Sequence, residues 1–182
     1  MSEPEIIYNK NNITIKKCET NTYQLLFSLE NQNIYLEKII NFTLLDVLYA
    51  LNRDIFDDYK VTIHNECEAS VCFLFKHFLR DLGLPQKYAY INVRLERNNN
   101  IIQFKAETIK EGVPDNLPKD VELVSVNNIN VECILETPHK MNYYSSLTLY
   151  TSMDMFEFLE NFAIKVLVKI FLRIKQFIEN YK

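Results

Sequence analysis

The chain has 182 residues, 48% of them hydrophobic and 24% charged, with a net charge of −4. That length and balance fit one globular domain with a proper core. The acidic balance argues against a protein built around phosphate backbones, so no nucleic-acid partner is expected. Glycine occurs only at Gly83 and Gly112, where average usage of about 7% would give roughly a dozen. Phosphate-cradling loops and dinucleotide turns need clustered glycines, so both are excluded. Asn, Ile and Lys are abundant, with runs such as "NKNN" and "RNNNII". This bias fits an AT-rich genome, such as that of a large DNA virus or a parasite.

Residues 1–11 read as a flexible N-terminal arm, and residues 12–182 as a single α+β domain. "MSEPEIIYNKNN" contains no apolar signal segment, and Cys18, Cys67, Cys72 and Cys133 show no framework spacing. Together these predict free thiols in a reducing compartment, hence a cytoplasmic protein, or one packaged in a virion. Strands are predicted at "ITIKKCE", "TYQLLFSLE" and "NIYLEKI". In the second, Tyr23, Leu25, Phe27 and Leu29 alternate, which gives one buried face.

A helix is predicted over "FTLLDVLYALNRDIFDDYK", capped by Thr43, with Leu44, Val47, Leu48, Leu51, Ile55 and Tyr59 at helical spacing. A second helix is predicted over "ECEASVCFLFKHFLRDL", capped by Asn65 and ended by Gly83 and Pro85. The period then becomes two. "YAYINVRLER" and "IIQFKAETI" flank "NNN" and form a hairpin, with Ala89, Ile91, Val93 and Leu95 facing Ile102, Phe104 and Ala106. "VELVSV", "INVECILE" and "YYSSLTLY" supply up to three more strands. Thr151 and Asp154 cap a final helix from about residue 152 to 180.

The expected class is therefore α+β: an antiparallel sheet of about six to eight strands, an inserted helical pair, and a long C-terminal helix packed on the sheet. This element order resembles the helix-grip fold of START-type lipid-binding domains. Three strands precede the helical pair where that fold has one, and its glycine-rich loop is missing. The resemblance implies an apolar ligand or lipid held between sheet and C-terminal helix.

"AIKVLVKIFLRIKQFI" (163–178) is nearly all apolar, yet Lys165, Lys169 and Arg173 cross it every four residues. Three central cations would together cost about 9 kcal/mol in a bilayer, so the segment does not span. Around a helix, Ala163, Val166, Leu167, Ile170, Phe171, Ile174, Phe177 and Ile178 fill one broad side. Phe158, Phe162, Val168 and Leu172 fall among the polar residues opposite, where an amphipathic helix has none.

Three other groups of residues carry weaker signals. His64, Cys67, Cys72 and His77 offer zinc-type ligands, but on a helix their five-residue spacings diverge by about 140°, so no metal site is expected. Asp54, Asp57 and Asp58 in "RDIFDD" read as a solvated face. Lys76, Arg80, Lys87, Arg94 and Arg97, with Tyr88 and Tyr90, read as a mixed-charge strand face diluted by Asp81 and Glu96. No catalytic motif and no cofactor motif are present.

The main expectation is thus a non-enzymatic structural or interaction subunit of a larger assembly. Phe158, Phe162, Lys165, Val168, Lys169, Leu172 and Arg173 would dock on a protein partner or on a second copy of the chain. The alternative is the helix-grip module, binding an apolar small molecule or lipid.

Overall fold

A computed structural model of the chain describes residues 3–19, 21–112, 114–115, 117–150 and 157–182. Strands β1 (Glu5–Lys10), β2 (Ile13–Glu19) and β3 (Thr22–Glu30) come first. Helices α1 (Leu36–Ile39) and α2 (Thr43–Leu51) follow, then β4 (Phe56–Asn65) and β5 (Glu68–Phe75). After a 3-10 turn at Arg80–Leu82 come β6 (Gln86–Asn98), β7 (Ile101–Thr108), β8 (Val121–Leu123), β9 (Ser125–Thr137) and β10 (Lys140–Tyr150). Helix α3 (Glu157–Asn180) closes the chain. The ten strands form one sheet in the order β1-β2-β3-β10-β9-β7-β6-β5-β4, with β8 pairing β6. All pairs are antiparallel except β6–β8. The antiparallel sheet with a C-terminal helix is as expected, and it has more strands than the sequence suggested.

Five local expectations change. Glu5–Lys10, read as part of a free arm, pair with β2. "NIYLEKI" is not a strand: Leu36 and Ile40, four apart, are both buried, which is helical spacing. Helix α2 stops at Leu51, because the Asn52 amide turns back to the Leu48 carbonyl at 2.8 Å. Ile55 and Tyr59, which continued the helical pattern, fall in the following turn and in β4. At the other end, the Asn41 carboxamide oxygen, not Thr43, accepts the Thr43 N–H at 2.8 Å. The capping pair Thr151 and Asp154 lies outside the described residues.

The largest change is at the second expected helix, which is the strand β5. Ala69 to Leu74 are all buried because both faces of β5 are covered. Ala69, Val71 and Phe73 enter the main core, while Cys72 and Leu74 meet Tyr88, Leu117, Val121 and Leu123 on the outer side. A continuous apolar run of this kind does not distinguish helix from strand.

The β6–β7 hairpin forms in the expected register, with Leu95 opposite Phe104 and Val93 opposite Ala106. Its turn is made by Asn99 at φ 51°. Asn11, Asn12, Asn21 and Asn128 also adopt positive φ. Asparagine is the non-glycine residue that enters this region most readily, so it supplies turns that the glycine-poor chain could not otherwise make.

Helix α3 runs alongside β3. Phe171 packs on Phe27 and Tyr143, at ring-centroid distances of 6.1 and 5.5 Å. The buried Lys175 ammonium donates to the Ser28 carbonyl at 2.7 Å and also meets Glu179. The buried Asn31 amide donates to the carbonyls of Ile178 and Tyr181, at 2.6 and 2.7 Å, and so satisfies the free end of the helix. Asn31→Ala should cost about 1–3 kcal/mol, since it leaves those carbonyls unpaired. Urea unfolding should show this loss, with faster amide exchange confined to the last turn of α3.

Candidate functional site

The register settles which side chains face inward. Tyr23, Leu25, Phe27 and Leu29 of β3 are buried. Their partners on β10 are Leu147, Ser145, Tyr143 and Met141. Continuing across the sheet, Tyr143 opposes Cys133 and Ser145 opposes Val131, then Val131 opposes Phe104 and Ile129 opposes Ala106. Beyond β7 the same face carries Ile91, Val93 and Leu95, then Ala69, Val71 and Phe73, and finally Tyr59 and Val61.

Helix α3 lies over this face and is held at both limbs of the sheet. On the β3 side, besides the contacts above, Glu160 accepts from the Tyr23 hydroxyl and from Lys17, each at 2.6 Å. Opposite, Arg173 donates to Asp54 at 2.5 Å, and to the Leu51 carbonyl and the Asn52 side-chain oxygen at 3.1 Å each. Lys169 reaches the same Asp54 at 2.5 Å. Near the start of α3, Phe162 packs edge-on against Phe78 of the β5–β6 connection, 5.3 Å apart. Both partners of α3 on this second side flank the β4–β5 hairpin.

Between the limbs the cover is uneven: Met141, Cys133 and Ile102 are at most 2% exposed. Phe104, Ile129, Val131, Tyr143 and Leu147, on the central strands, are half-buried. Ile13, Ile15, Leu29, Ala69 and Val71, on the limbs, are at most 2% exposed. Burial pushes up the pKa of the Tyr143 hydroxyl. One end is closed by α1 and α2: Phe42 meets Phe104 at 6.4 Å, and Arg97 donates to the carbonyls of Glu37 and Ile40 at 3.3 and 2.7 Å. The other end carries Phe78 and Phe158, 41% and 53% exposed.

The residues of the expected docking surface are distributed differently from a docking surface. Val168 is buried, Leu172 packs half-buried against the core, and Phe162 lies on Phe78. Lys169 and Arg173 are engaged by Asp54, while Phe158 and Lys165 are exposed. Phe177, expected to face the sheet, is 38% exposed and touches Tyr181.

The expected metal candidates are likewise separate. His64 hydrogen-bonds Ser70 at 2.6 Å, His77 donates to the Leu84 carbonyl, Cys67 is exposed and Cys72 is buried. Among the described residues, no three His, Cys, Asp or Glu side chains converge as metal ligands.

An outer cavity of about 340 Å³ is lined by Lys60, Thr62, Ser70, Cys72, Tyr90 and Asp115. Burial raises the Cys72 pKa, keeping the thiol protonated. Among the described residues no carboxylate is hydrogen-bonded to His64, so the Ser70–His64 pair lacks an orienting third group. Glu68 is instead bound by Asn92 at 2.8 Å and Arg94 at 3.5 Å.

No protein-family model matches the sequence, and no curated protein matches it. Solved structures do. Human StAR-related lipid transfer protein 5 superposes with a TM-score of 0.70 at 9% identity, over 96% of this chain and 86% of that one. The lipid transfer and protein localization domain of human StarD13 gives 0.72 at 9% identity, over 100% and 91%. A STAR-related lipid transfer protein from Xanthomonas axonopodis gives 0.73 at 7% identity, over 97% and 99%.

The fold is therefore START-like, as the element order suggested. This overturns the expected structural subunit of an assembly, viral or otherwise. The matched folds are those of lipid-transfer proteins, and most of the supposed docking side chains are occupied within the chain.

Sequence reasoning missed the Asp54 latch, whose partners Lys169 and Arg173 lie far away in the chain.

Glu160 gives a pH test. Burial alone would raise its pKa, but Lys17 and Tyr23 outweigh it and the pKa is lowered. The ionised form thus stabilises the fold. Its contribution is complete above the ordinary glutamate value of 4.5 and is lost as pH falls below that through the lowered native value. The stability difference between the wild type and Glu160→Gln should therefore be constant near neutrality and shrink on acidification below pH 4.5. A difference independent of pH in urea titrations would contradict the ion pair.

Proposed function

We propose that the protein is a non-enzymatic binding module that holds an apolar small molecule or lipid between the inward sheet face and α3. One observation carries this reading: Phe104, Ile129, Val131 and Leu147 on the central strands keep accessible surface under a helix that is fixed at the two limbs. The START-like fold supports it, since each structure named above belongs to a protein titled for lipid transfer. Among the described residues no helix is long and apolar enough to cross a membrane.

The contact of Phe78 with Phe162 sits beside the exposed Phe158 at one end of the interior. Parting these rings is the motion that would admit a ligand, because it breaks a surface aromatic pair worth about 0.5–1.5 kcal/mol and no backbone ladder.

Ligand binding is tested by native mass spectrometry of the purified protein and by titration with the neutral apolar dye Nile red. An apolar adduct or saturable dye binding is expected. Val131→Trp should reduce dye binding about tenfold or more by filling the space, while the thermal midpoint stays within a few degrees of wild type. Absence of both adduct and dye binding in the wild type would overturn the proposal.

A further inference from the structure

Given the binding role proposed above, we infer that the Tyr59 hydroxyl is a contact for the bound molecule, donating to a neutral hydroxyl or carbonyl oxygen of the lipid. The inference starts from an unsatisfied group. Among the described residues, the Tyr59 hydroxyl is the one buried side-chain polar atom that has no hydrogen-bond partner. A buried donor left unpaired forgoes its bonds to water without replacement, so such groups are rare in folded chains and point to a missing partner.

The position of the ring says where that partner comes from. Tyr59 lies opposite Phe73 in the β4–β5 register, on the inward face, and packs on the main core. Its ring is stacked on Tyr49 of α2, with centroids 5.1 Å apart and planes 19° apart, and tilts against Phe73 at 5.2 Å. Turning the hydroxyl out to water would give up both ring contacts. A group so held is satisfied only by something that comes to it.

Helix α2 links this ring to the central strands. Phe42, at its N-terminal end, meets Phe104 on β7, and Tyr49, seven residues on, meets Tyr59 on β4. Seven residues of helix rise about 10 Å. Leu45 and Leu48, between them, pack half-buried on the core. A lipid that covers Phe104 can therefore extend beneath α2 to Tyr59 within the length of an ordinary acyl chain.

The chemistry around the hydroxyl selects a neutral acceptor. Burial and the negative charge of Asp46 raise the Tyr59 pKa, so the group keeps its proton and donates. Asp46 is close enough to act on the hydroxyl, yet the geometry between them falls short of a hydrogen bond. The same carboxylate repels a phosphate or fatty-acid carboxylate brought to this point. The inward positions beside it, Val61, Ala69, Val71 and Phe73, supply no cation in compensation. A quaternary ammonium has no acceptor to offer, and the Tyr49 ring is already faced by the Arg53 guanidinium at 5.9 Å.

The test uses the delipidated full chain with diphenylhexatriene, a hydrocarbon probe that has no acceptor, and two competitors of one chain length, decanol and decanoate. Decanol should displace the probe about tenfold or more tightly than decanoate. In Tyr59→Phe the ratio of decanol to probe affinity should fall about three- to tenfold, the loss of one hydrogen bond. The ligand-free variant should melt at or above the wild-type midpoint, because removing a hydroxyl that bonds nothing costs the fold nothing.

An unchanged ratio in Tyr59→Phe would overturn the contact. A ligand-free midpoint several degrees below wild type would overturn the premise that the hydroxyl is unpaired, placing it on Asp46 or an internal water. Equal or tighter binding of decanoate would overturn the neutral acceptor and leave the binding role intact. Failure of the wild type to bind the probe at all would remove the binding role itself.

Discussion

An α-helix is about 10 Å across with its side chains, and neighbouring strands are about 4.8 Å apart. One helix can therefore cover only about two strands of a flat sheet, whereas the main path here is nine strands long. Antiparallel strands with an apolar inner face must hide that face from water, so the sheet has to curve around whatever covers it. Register shifts in β1–β2, β2–β3, β9–β10 and β4–β5 supply places for the strands to bend. The polar clamps on α3 then fix where the cover sits. Glu160, Lys175 and the capped helix end hold it to the β3 limb, while Asp54 and Phe78 hold it to the β4–β5 limb.

These clamps differ in strength. Asn31 and Lys175 are buried, and their partners are backbone carbonyls that would otherwise be unsatisfied. Asp54, by contrast, is about half exposed, at 48%. Exposed ion pairs contribute roughly 0–1 kcal/mol. Arg173 also donates to the Leu51 carbonyl and to the side chain of the fully buried Asn52, so the second limb holds the helix through backbone and buried partners as well as through Asp54.

The sequence was legible where a single face of a strand is buried. Tyr23 to Leu29 and the β6–β7 hairpin alternate cleanly because water lies on their outer side. It was opaque at β5, where the segment from Leu117 to Leu123 covers the outer face as well and removes the alternation. The final helix was misread for a related reason. Phe162, Val168 and Leu172 looked superfluous because the elements beside that side of α3, the turn at Asp54 and the connection at Phe78, lie far away in the chain. Periodicity within one element records how much of its circumference is apolar. Whether the covering comes from the same chain depends on long-range contacts that the pattern does not encode.

Apolar side chains that keep accessible surface, such as Phe104, Ile129 and Val131, forgo part of their transfer and packing energy. The chain can bear that cost because the limbs are complete without the middle. Ile13, Ile15 and Leu29 on one side, and Ala69 and Val71 on the other, are essentially inaccessible. A ligand of the proposed kind, covering Phe104, Ile129 and Val131, would add its binding energy to the folded state alone. The same division explains why the interior can be neutral. Lys17, Lys169 and Arg173 meet carboxylates at the edges of α3, and the inward positions named on the central strands carry no charge. Filled limbs and an uncharged, partly exposed centre are what the proposed binding role requires.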